Sequence, residues 1–142
     1  MKWSRQLAAK FADRQLAFLD APVAGSRPQA EAAQLIYAAA IAELVGFVQS
    51  CGLDKDKAVE ILGATPVCSP AAKGLASAMI AEKFSPLFPI ELVEKDLGYL
   101  SATAAEQEAE VPVGQLARQV FQRAIAKGYG TDNITGVAQL YL

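Results

Sequence analysis

Histidine is absent from the 142 residues of this chain, and its absence excludes several kinds of site. Zinc sites with histidine ligands, Ser-His-Asp triads and Cys-His pairs all need an imidazole ring. Any proton transfer must therefore involve Lys, Asp, Glu, Tyr or Cys. Cysteine is scarce as well: only Cys51 and Cys68 occur. We expect both to be free, buried or half-buried thiols, and we expect no metal site.

Basic clusters and long apolar segments are missing too. The net charge is −2 and no block of Lys or Arg stands out, so nucleic acid is not an expected partner. The longest apolar stretch, Leu35 to Val48, is interrupted by Glu43 and is too short to cross a bilayer. The first residues, Met1–Gln6, are not followed by an apolar run of the signal-peptide type. We therefore expect a cytoplasmic protein with no membrane partner.

The residues that are present predict α-helices almost throughout. Alanine supplies much of the hydrophobic fraction of 53%, and alanine favours closely packed helices over sheets. Three residues are suited to cap helix starts: Ser26, two residues ahead of Pro28; Asp54; and Ser69, directly ahead of Pro70. The predicted helices cover residues 4–14, 28–51, 55–62, 70–81, 90–108, 113–127 and 134–142. An apolar run at 16–23 is the one candidate for an extended segment, so the predicted fold class is all-α.

The longest predicted helix, Pro28 to Cys51, is apolar on more than one face. One seam consists of Ile36, Ala40, Leu44 and Phe47, and the adjoining seam of Tyr37, Ile41, Val45 and Val48. One seam can pack on the chain's own helices, but a domain of this size has few elements left to cover the other. The pattern predicts a homodimer through this helix. A charge at Ile41 or Val45 is expected to disrupt that dimer, whereas Glu43→Lys should be tolerated.

Four stretches, in order, resemble one family of enzymes. Residues 18–26 (F-L-D-A-P-V-A-G-S) resemble the substrate-binding stretch F-L-D-A-P-V-S-G-G, and residues 39–54 resemble the second half of a long interdomain helix. Residues 88–99 (F-P-I-E-L-V-E-K-D-L-G-Y) are similar to a segment F-x-L-x-x-x-x-K-D-L, and residues 129–133 to a closing turn G-x-G-D-x-D. On these motifs the chain resembles the β-hydroxyacid dehydrogenase family, which includes 3-hydroxyisobutyrate dehydrogenase and 6-phosphogluconate-dehydrogenase-like enzymes.

This resemblance implies a fold, a division of the chain and a set of site residues. The fold would be a helical bundle like the C-terminal domain of 6-phosphogluconate dehydrogenase, with a short extended N-terminal segment. Residues 1–27 would be a remnant of helix and strand from the end of a nucleotide-binding domain, and residues 28–142 the helical C-terminal domain. The family oxidises small β-hydroxyacids with NAD(P). Its substrate stretch corresponds to Ala24, Gly25 and Ser26, and the side that faces cofactor and substrate to Lys95 and Asp96.

The chain departs from the family's pattern at three places. No G-x-G-x-x-G turn, which would hold the cofactor pyrophosphate, occurs in it. The segment that carries the family's catalytic lysine is also missing, because Gln34 runs straight into the later half of the interdomain helix. In the substrate stretch, Ala24 replaces serine and Ser26 replaces the second glycine. We therefore assign no catalytic residue, and expect a truncated protein that is inactive and binds no cofactor alone.

Several alternatives stay open at this point. Ser26 suits a vestigial turn and helix cap, and Lys95 with Asp96 suits a solvated pair, with Glu91 placed to form an ion pair with Lys95. The chain as a whole could be a dimerisation module of dehydrogenase origin. It could also be one component of an oxidoreductase whose Rossmann domain comes from another chain, or a small-molecule binding protein that uses a cleft between helices.

Overall fold

A computed structural model describes residues 6, 9–11 and 34–142 of the chain. Residues 6 and 9–11 are helical, and no strand occurs within residues 34–142, which confirms the all-α prediction. The elements are α1 (Gln34–Ser50), α2 (Lys55–Ala64), α3 (Pro70–Ile80), α4 (Ile90–Glu106), α5 (Pro112–Ala126) and a final 3₁₀ helix (Ile134–Leu140). None of the helices in the described ranges is long and apolar enough to cross a membrane.

The predicted N-terminal features lie outside the described residues. They are the extended run at 16–23, the cap at Ser26, the start of the long helix at Pro28 and the domain boundary after residue 27. These stay predictions.

Local signals placed the starts of α2 and α3 correctly. The Asp54 carboxylate accepts a hydrogen bond from the Lys57 N–H at 3.0 Å, and the Ser69 hydroxyl accepts one from the Ala72 N–H at 3.1 Å. Each contact satisfies one of the N–H groups that the first turn of a helix leaves without a partner. Gly52 ends α1 with φ +66°, a conformation that glycine adopts without strain. The sequence therefore predicted these helix boundaries from residues that lie within about one turn of each boundary.

The core lies around α1, which contacts α3, α5 and the 3₁₀ helix, while α2 packs on α3 and α4 on α5. Leu75 and Met79 share the buried face of α3. A Cβ at Gly46 would overlap the Tyr141 side chain, so this glycine lets the chain end pack directly on α1. The largest fully buried apolar side chains are Phe121, Met79, Ile90, Val93 and Val137.

The buried face of α5 leaves out the apolar residue Leu116. Leu116, Val120 and Ala124 recur at helical spacing, but Leu116 is 62% exposed. The buried residues of α5 are Gly114, Ala117, Phe121 and Ala124. Small residues at 114 and 117 let α5 approach α4 closely, and the ring of Phe121 buries more apolar area than Leu116 could.

The two apolar seams of α1 are separated in the structure, and only one is exposed. Ile41, Val45 and Val48 are buried, so a charge at Ile41 or Val45 would disrupt the core. Our expectation that such a charge acts on a dimer interface was therefore wrong. Tyr37 belongs to the same predicted seam as Ile41 and Val45 but, unlike them, is exposed. The exposed side, called the α1 outer face, consists of Ile36, Tyr37, Ala40, Leu44 and Phe47. Homodimerisation stays a prediction, now assigned to this face.

Both cysteines are free thiols, as predicted, but their burial differs. Cys68 is half-buried, whereas Cys51 is exposed. The prediction for Cys51 was wrong because residue 51 follows the last turn of α1 on the side of the outer face, which the helices within residues 34–142 leave open.

Candidate functional site

Lys95 and Asp96 lie on the first half of α4, as predicted. The inner side of this helix, including Ile90, Val93 and Leu97, is buried in the core. Since these residues recur at three- and four-residue spacing, the two polar residues between them point away from the core. Lys95 is exposed and Asp96 is half-buried.

The other half of the predicted site cannot be placed beside this pair. Ala24, Gly25 and Ser26, the substrate-side residues implied by the resemblance, lie outside the described residues. Their role stays a prediction.

The surface around Lys95 combines a cation, a ring and an apolar side chain. Leu92, Lys95 and Tyr99 follow one another at helical spacing and are all exposed, with Tyr99 62% exposed. We call Leu92, Lys95, Asp96 and Tyr99 the Lys95 face. The ion pair expected between Glu91 and Lys95 is not formed, since the ion pairs within residues 34–142 are Lys57–Glu60 and Arg118–Glu94. The Lys95 ammonium is therefore accessible to an anionic group.

Asp96 is the residue of the Lys95 face whose pKa is shifted. Partial burial raises the pKa of Asp96, and the positive charge of Lys95 offsets part of that rise. The folded chain therefore disfavours the charged form of the Asp96 carboxyl group relative to the unfolded chain.

The closing turn at residues 129–133 holds the N-terminus of α4. The Ile90 N–H donates to the Asp132 carbonyl at 3.0 Å, and the Glu91 N–H donates to the Gly130 carbonyl at 3.0 Å. Pro89 stands at the cap position of α4 and provides no side-chain hydrogen bond. The turn thus supplies acceptors that a capping side chain would otherwise provide, and it fixes the direction of the helix that carries Lys95.

Asn133 connects this turn to the segment ahead of α4. Its Oδ1 accepts a hydrogen bond from the Phe88 N–H at 3.0 Å, and its Nδ2 donates to Thr135 Oγ1 at 3.0 Å. The Thr135 hydroxyl donates in turn to the Lys83 carbonyl at 2.8 Å. Asn133 directly precedes the 3₁₀ helix, but its side chain does not cap that helix. It satisfies buried groups 45 residues earlier in the chain instead.

A second connection fastens α4 to α5 and was not foreseen from the sequence. Glu94 Oε1 accepts hydrogen bonds from Arg118 Nε at 2.7 Å and from Gln122 Nε2 at 2.9 Å. Gly98 leaves room for the guanidinium, since a Cβ there would lie 3.0 Å from Arg118 Nη2. Burial disfavours the Glu94 carboxylate, but the hydrogen bonds from Gln122 and Arg118 and the Arg118 charge together lower its pKa.

Glu94→Gln should make the stability of the chain less sensitive to acid. Because the folded pKa of Glu94 is lowered, its contribution is complete above the ordinary value of 4.5 and is lost as the pH falls through the folded pKa. We expect the variant to have a lower urea midpoint at pH 7 and a smaller further loss at pH 4. Glu106→Gln, at an exposed position near the end of α4, is the matched control. An unchanged pH dependence in Glu94→Gln would contradict this role.

No group of three or more Cys, Asp or Glu side chains in the described part of the chain is arranged to hold a metal ion.

Comparison with known proteins assigns this helical region to one family model. Residues 32–141 match the model described as NAD-binding of NADP-dependent 3-hydroxyisobutyrate dehydrogenase. The matched span contains every element from α1 to the end of the 3₁₀ helix, and so includes the Lys95 face. It does not include Ala24, Gly25 or Ser26.

Curated relatives are similar over the same region. Glyoxylate/succinic semialdehyde reductase 1 of Arabidopsis thaliana is 26% identical over 100 residues, which are 70% of this chain and 35% of that protein. The mitochondrial 3-hydroxyisobutyrate dehydrogenase of Drosophila melanogaster is 27% identical over 107 residues, 70% of this chain and 33% of that protein. The aligned part of the chain thus spans about a third of the length of these relatives.

Solved structures show the same fold. A 3-hydroxyisobutyrate dehydrogenase from Salmonella typhimurium superposes with a TM-score of 0.71 at 20% identity, over 75% of this chain and 38% of that one. A Mycobacterium tuberculosis 3-hydroxyisobutyrate dehydrogenase, solved with L-serine, gives 0.65 at 19% identity, over 82% and 45%. At these identities the likeness establishes the helical fold and leaves the chemistry to the residues themselves.

Proposed function

Because the chain belongs to the family of NADP-dependent 3-hydroxyisobutyrate dehydrogenases, we propose that it supplies the helical, substrate-side half of such an enzyme. The observation that carries the proposal is the Lys95 face. It lies within the matched region, on a helix whose start is held by the closing turn and whose side is fastened to α5. A helix held at both places fixes where the Lys95 side chain leaves the backbone, as a binding site requires.

The residues of the Lys95 face suit one side of NAD(P). The exposed Lys95 ammonium has the charge to bind a phosphate oxygen, and the exposed ring of Tyr99 offers a flat apolar surface. NAD(P), when bound, supplies the hydride acceptor for oxidation of a hydroxyacid. The residues of this chain would bind and orient the ligands, with Lys95 contacting an anionic group and Asp96 setting the local charge.

The 142-residue chain does not by itself catalyse hydride transfer in this proposal. Its sequence contains no G-x-G-x-x-G turn for the pyrophosphate and no counterpart of the family's lysine segment. The Rossmann domain that completes the site at the Lys95 face is therefore not contained in these 142 residues. A separate chain is one source of it. The substrate would be a small β-hydroxyacid, as the family resemblance implies.

The α1 outer face supports a second part of the proposal, namely homodimerisation. Leu44 and Phe47 are 43% and 65% exposed, and with Ile36, Tyr37 and Ala40 they form a continuous apolar stripe. A contiguous exposed apolar surface of this kind is typical of an interface between proteins.

Cofactor titration tests the main proposal. We expect NAD(P)H fluorescence to show no saturable binding to the chain alone, and 3-hydroxyisobutyrate not to be oxidised. When the nucleotide-binding half of a 3-hydroxyisobutyrate dehydrogenase is added as a separate chain, the pair should bind NADPH more tightly than that half alone. Lys95→Ala should remove this gain, whereas Lys127→Ala, at an exposed lysine beyond α5, should keep it. Cofactor-dependent turnover by the chain alone, abolished by Lys95→Ala, would overturn the proposal.

A further inference from the structure

A cleft of about 310 Å³ lies between α2 and α3. Its lining contains no residue of α4 and none of the Lys95 face. The residues that determine its chemistry are Asp56, Val59 and Glu60 of α2 and Lys73, Ser77 and Ile80 of α3. Both signs of charge therefore line one cleft, on opposite walls.

Only one acid and one base of this cleft remain without an ion pair. The Glu60 carboxylate is bound by Lys57 Nζ at 2.8 Å on the same helix. Within the described residues, Asp56 and Lys73 form no ion pair and no side-chain hydrogen bond with any group. Opposite charges that share a cleft without meeting leave a place for a ligand that pairs with both.

Gly63 determines where the Lys73 side chain lies. A Cβ at Gly63 would stand 2.6 Å from Lys73 Cδ and 2.8 Å from Cε, so the stem of this lysine crosses α2 at the glycine. Asp56 precedes Gly63 by seven residues, or about 10 Å along the helix axis. The lysine stem and Asp56 are therefore about two turns of α2 apart, and no ion pair joins the two side chains.

The surface between the two charges includes two apolar side chains, Val59 and Ile80, beside Ser77 and the ion-paired Glu60. Val59 is buried and Ile80 is half-buried, and both line the cleft. Ser77 lies one helical turn beyond Lys73 and can hydrogen-bond either end of a ligand. The methylene groups of a linear ligand would be buried against these apolar side chains, while the two ends of the ligand reached the two charges.

We propose that this cleft binds a linear zwitterion of the ω-amino carboxylate class. The carboxylate of the ligand pairs with Lys73 and its ammonium pairs with Asp56. A simple carboxylate or a simple amine satisfies only one of the two groups. Because both protein charges are exposed, each pair contributes modestly and the affinity should be roughly millimolar. The proposal is independent of the dehydrogenase function, since the two sites share no residue.

Titration of the ¹⁵N-labelled chain with 5-aminopentanoate tests the proposal by NMR. Amide shifts should saturate and should centre on the residues that line the cleft. Pentanoate and pentylamine, each with one of the two charges, should bind at least tenfold more weakly at the same ionic strength. Equal affinity for the three compounds, or no saturation by 5-aminopentanoate, would overturn the proposal.

Substitutions assign the binding to the two charges. Lys73→Gln and Asp56→Asn should each weaken binding of 5-aminopentanoate at least fivefold, while Lys73→Arg should retain it. Gly63→Ala should also weaken binding, because it displaces the lysine stem, although alanine is the better helix former and the thermal midpoint should not fall. Lys83→Gln, at an exposed lysine outside the cleft, is the control and should bind like the parent. Binding unaffected by Lys73→Gln would refute the assignment.

Discussion

Val45→Lys should unfold the chain, whereas Leu44→Lys, one position earlier, should leave it folded. Val45 is 3% exposed and faces the core on α1, while Leu44 is 43% exposed on the outer face. A lysine at position 45 would bring a charge into the core, and a buried charge without a partner costs roughly 4 kcal/mol or more, a large part of the stability of a small domain. Circular dichroism at 25 °C should show loss of helix for Val45→Lys only. A Val45→Lys chain with the parental melting midpoint would contradict the assigned burial.

Leu44→Lys should act on association instead. If the α1 outer face is the dimer interface, each large apolar side chain that it buries contributes about 1.5–3 kcal/mol, enough for a few residues per chain to outweigh the entropic cost of association. We expect Leu44→Lys and Phe47→Glu to be folded monomers in sedimentation equilibrium. Glu43→Lys, which loses only a 3.4 Å contact from the Tyr141 hydroxyl, should keep the dimer. A parental chain that is monomeric at micromolar concentration would rule out the dimer.

Asn133→Ala should produce the second large effect, by loosening the start of α4. The substitution leaves the buried Phe88 N–H without its acceptor and removes a donor from Thr135. Each buried polar group left without a partner costs about 1–3 kcal/mol. The urea midpoint should fall accordingly, and hydrogen exchange should accelerate at the amides of Phe88, Ile90 and Glu91. These amides report directly on the turn that positions the Lys95 face.

Thr131→Ala provides the matched control for this effect. Thr131 stands in the same turn but is exposed, and a substitution at such a site usually changes stability by no more than about 0.5 kcal/mol. Its exchange rates at Ile90 and Glu91 should equal those of the parent. If Asn133→Ala also left these rates unchanged, the closing turn would not be what holds α4.

The candidate site was predictable only in part, because some of the residues that build it lie far apart along the sequence. Lys95 and Asp96 were identified because a local K-D-L motif carries the family resemblance. The groups that hold their helix could not be found in that way, because Glu94 meets Arg118 across 24 residues and Asn133 meets Phe88 across 45. No spacing rule connects such residues before the helices have packed.

The sequence by itself determined the all-α class. It also determined the starts of α2 and α3 and the end of α1, because a cap or a glycine acts on N–H and C=O groups within one turn of its own position. Only the tertiary structure decided which apolar stripe of α1 and of α5 faces inward. Two neighbouring stripes of either helix carry apolar residues, and a 3.6-residue period is satisfied equally by both. The choice depends on how closely the neighbouring helices approach, and that distance is set by the packing of residues such as Gly114 and Phe121.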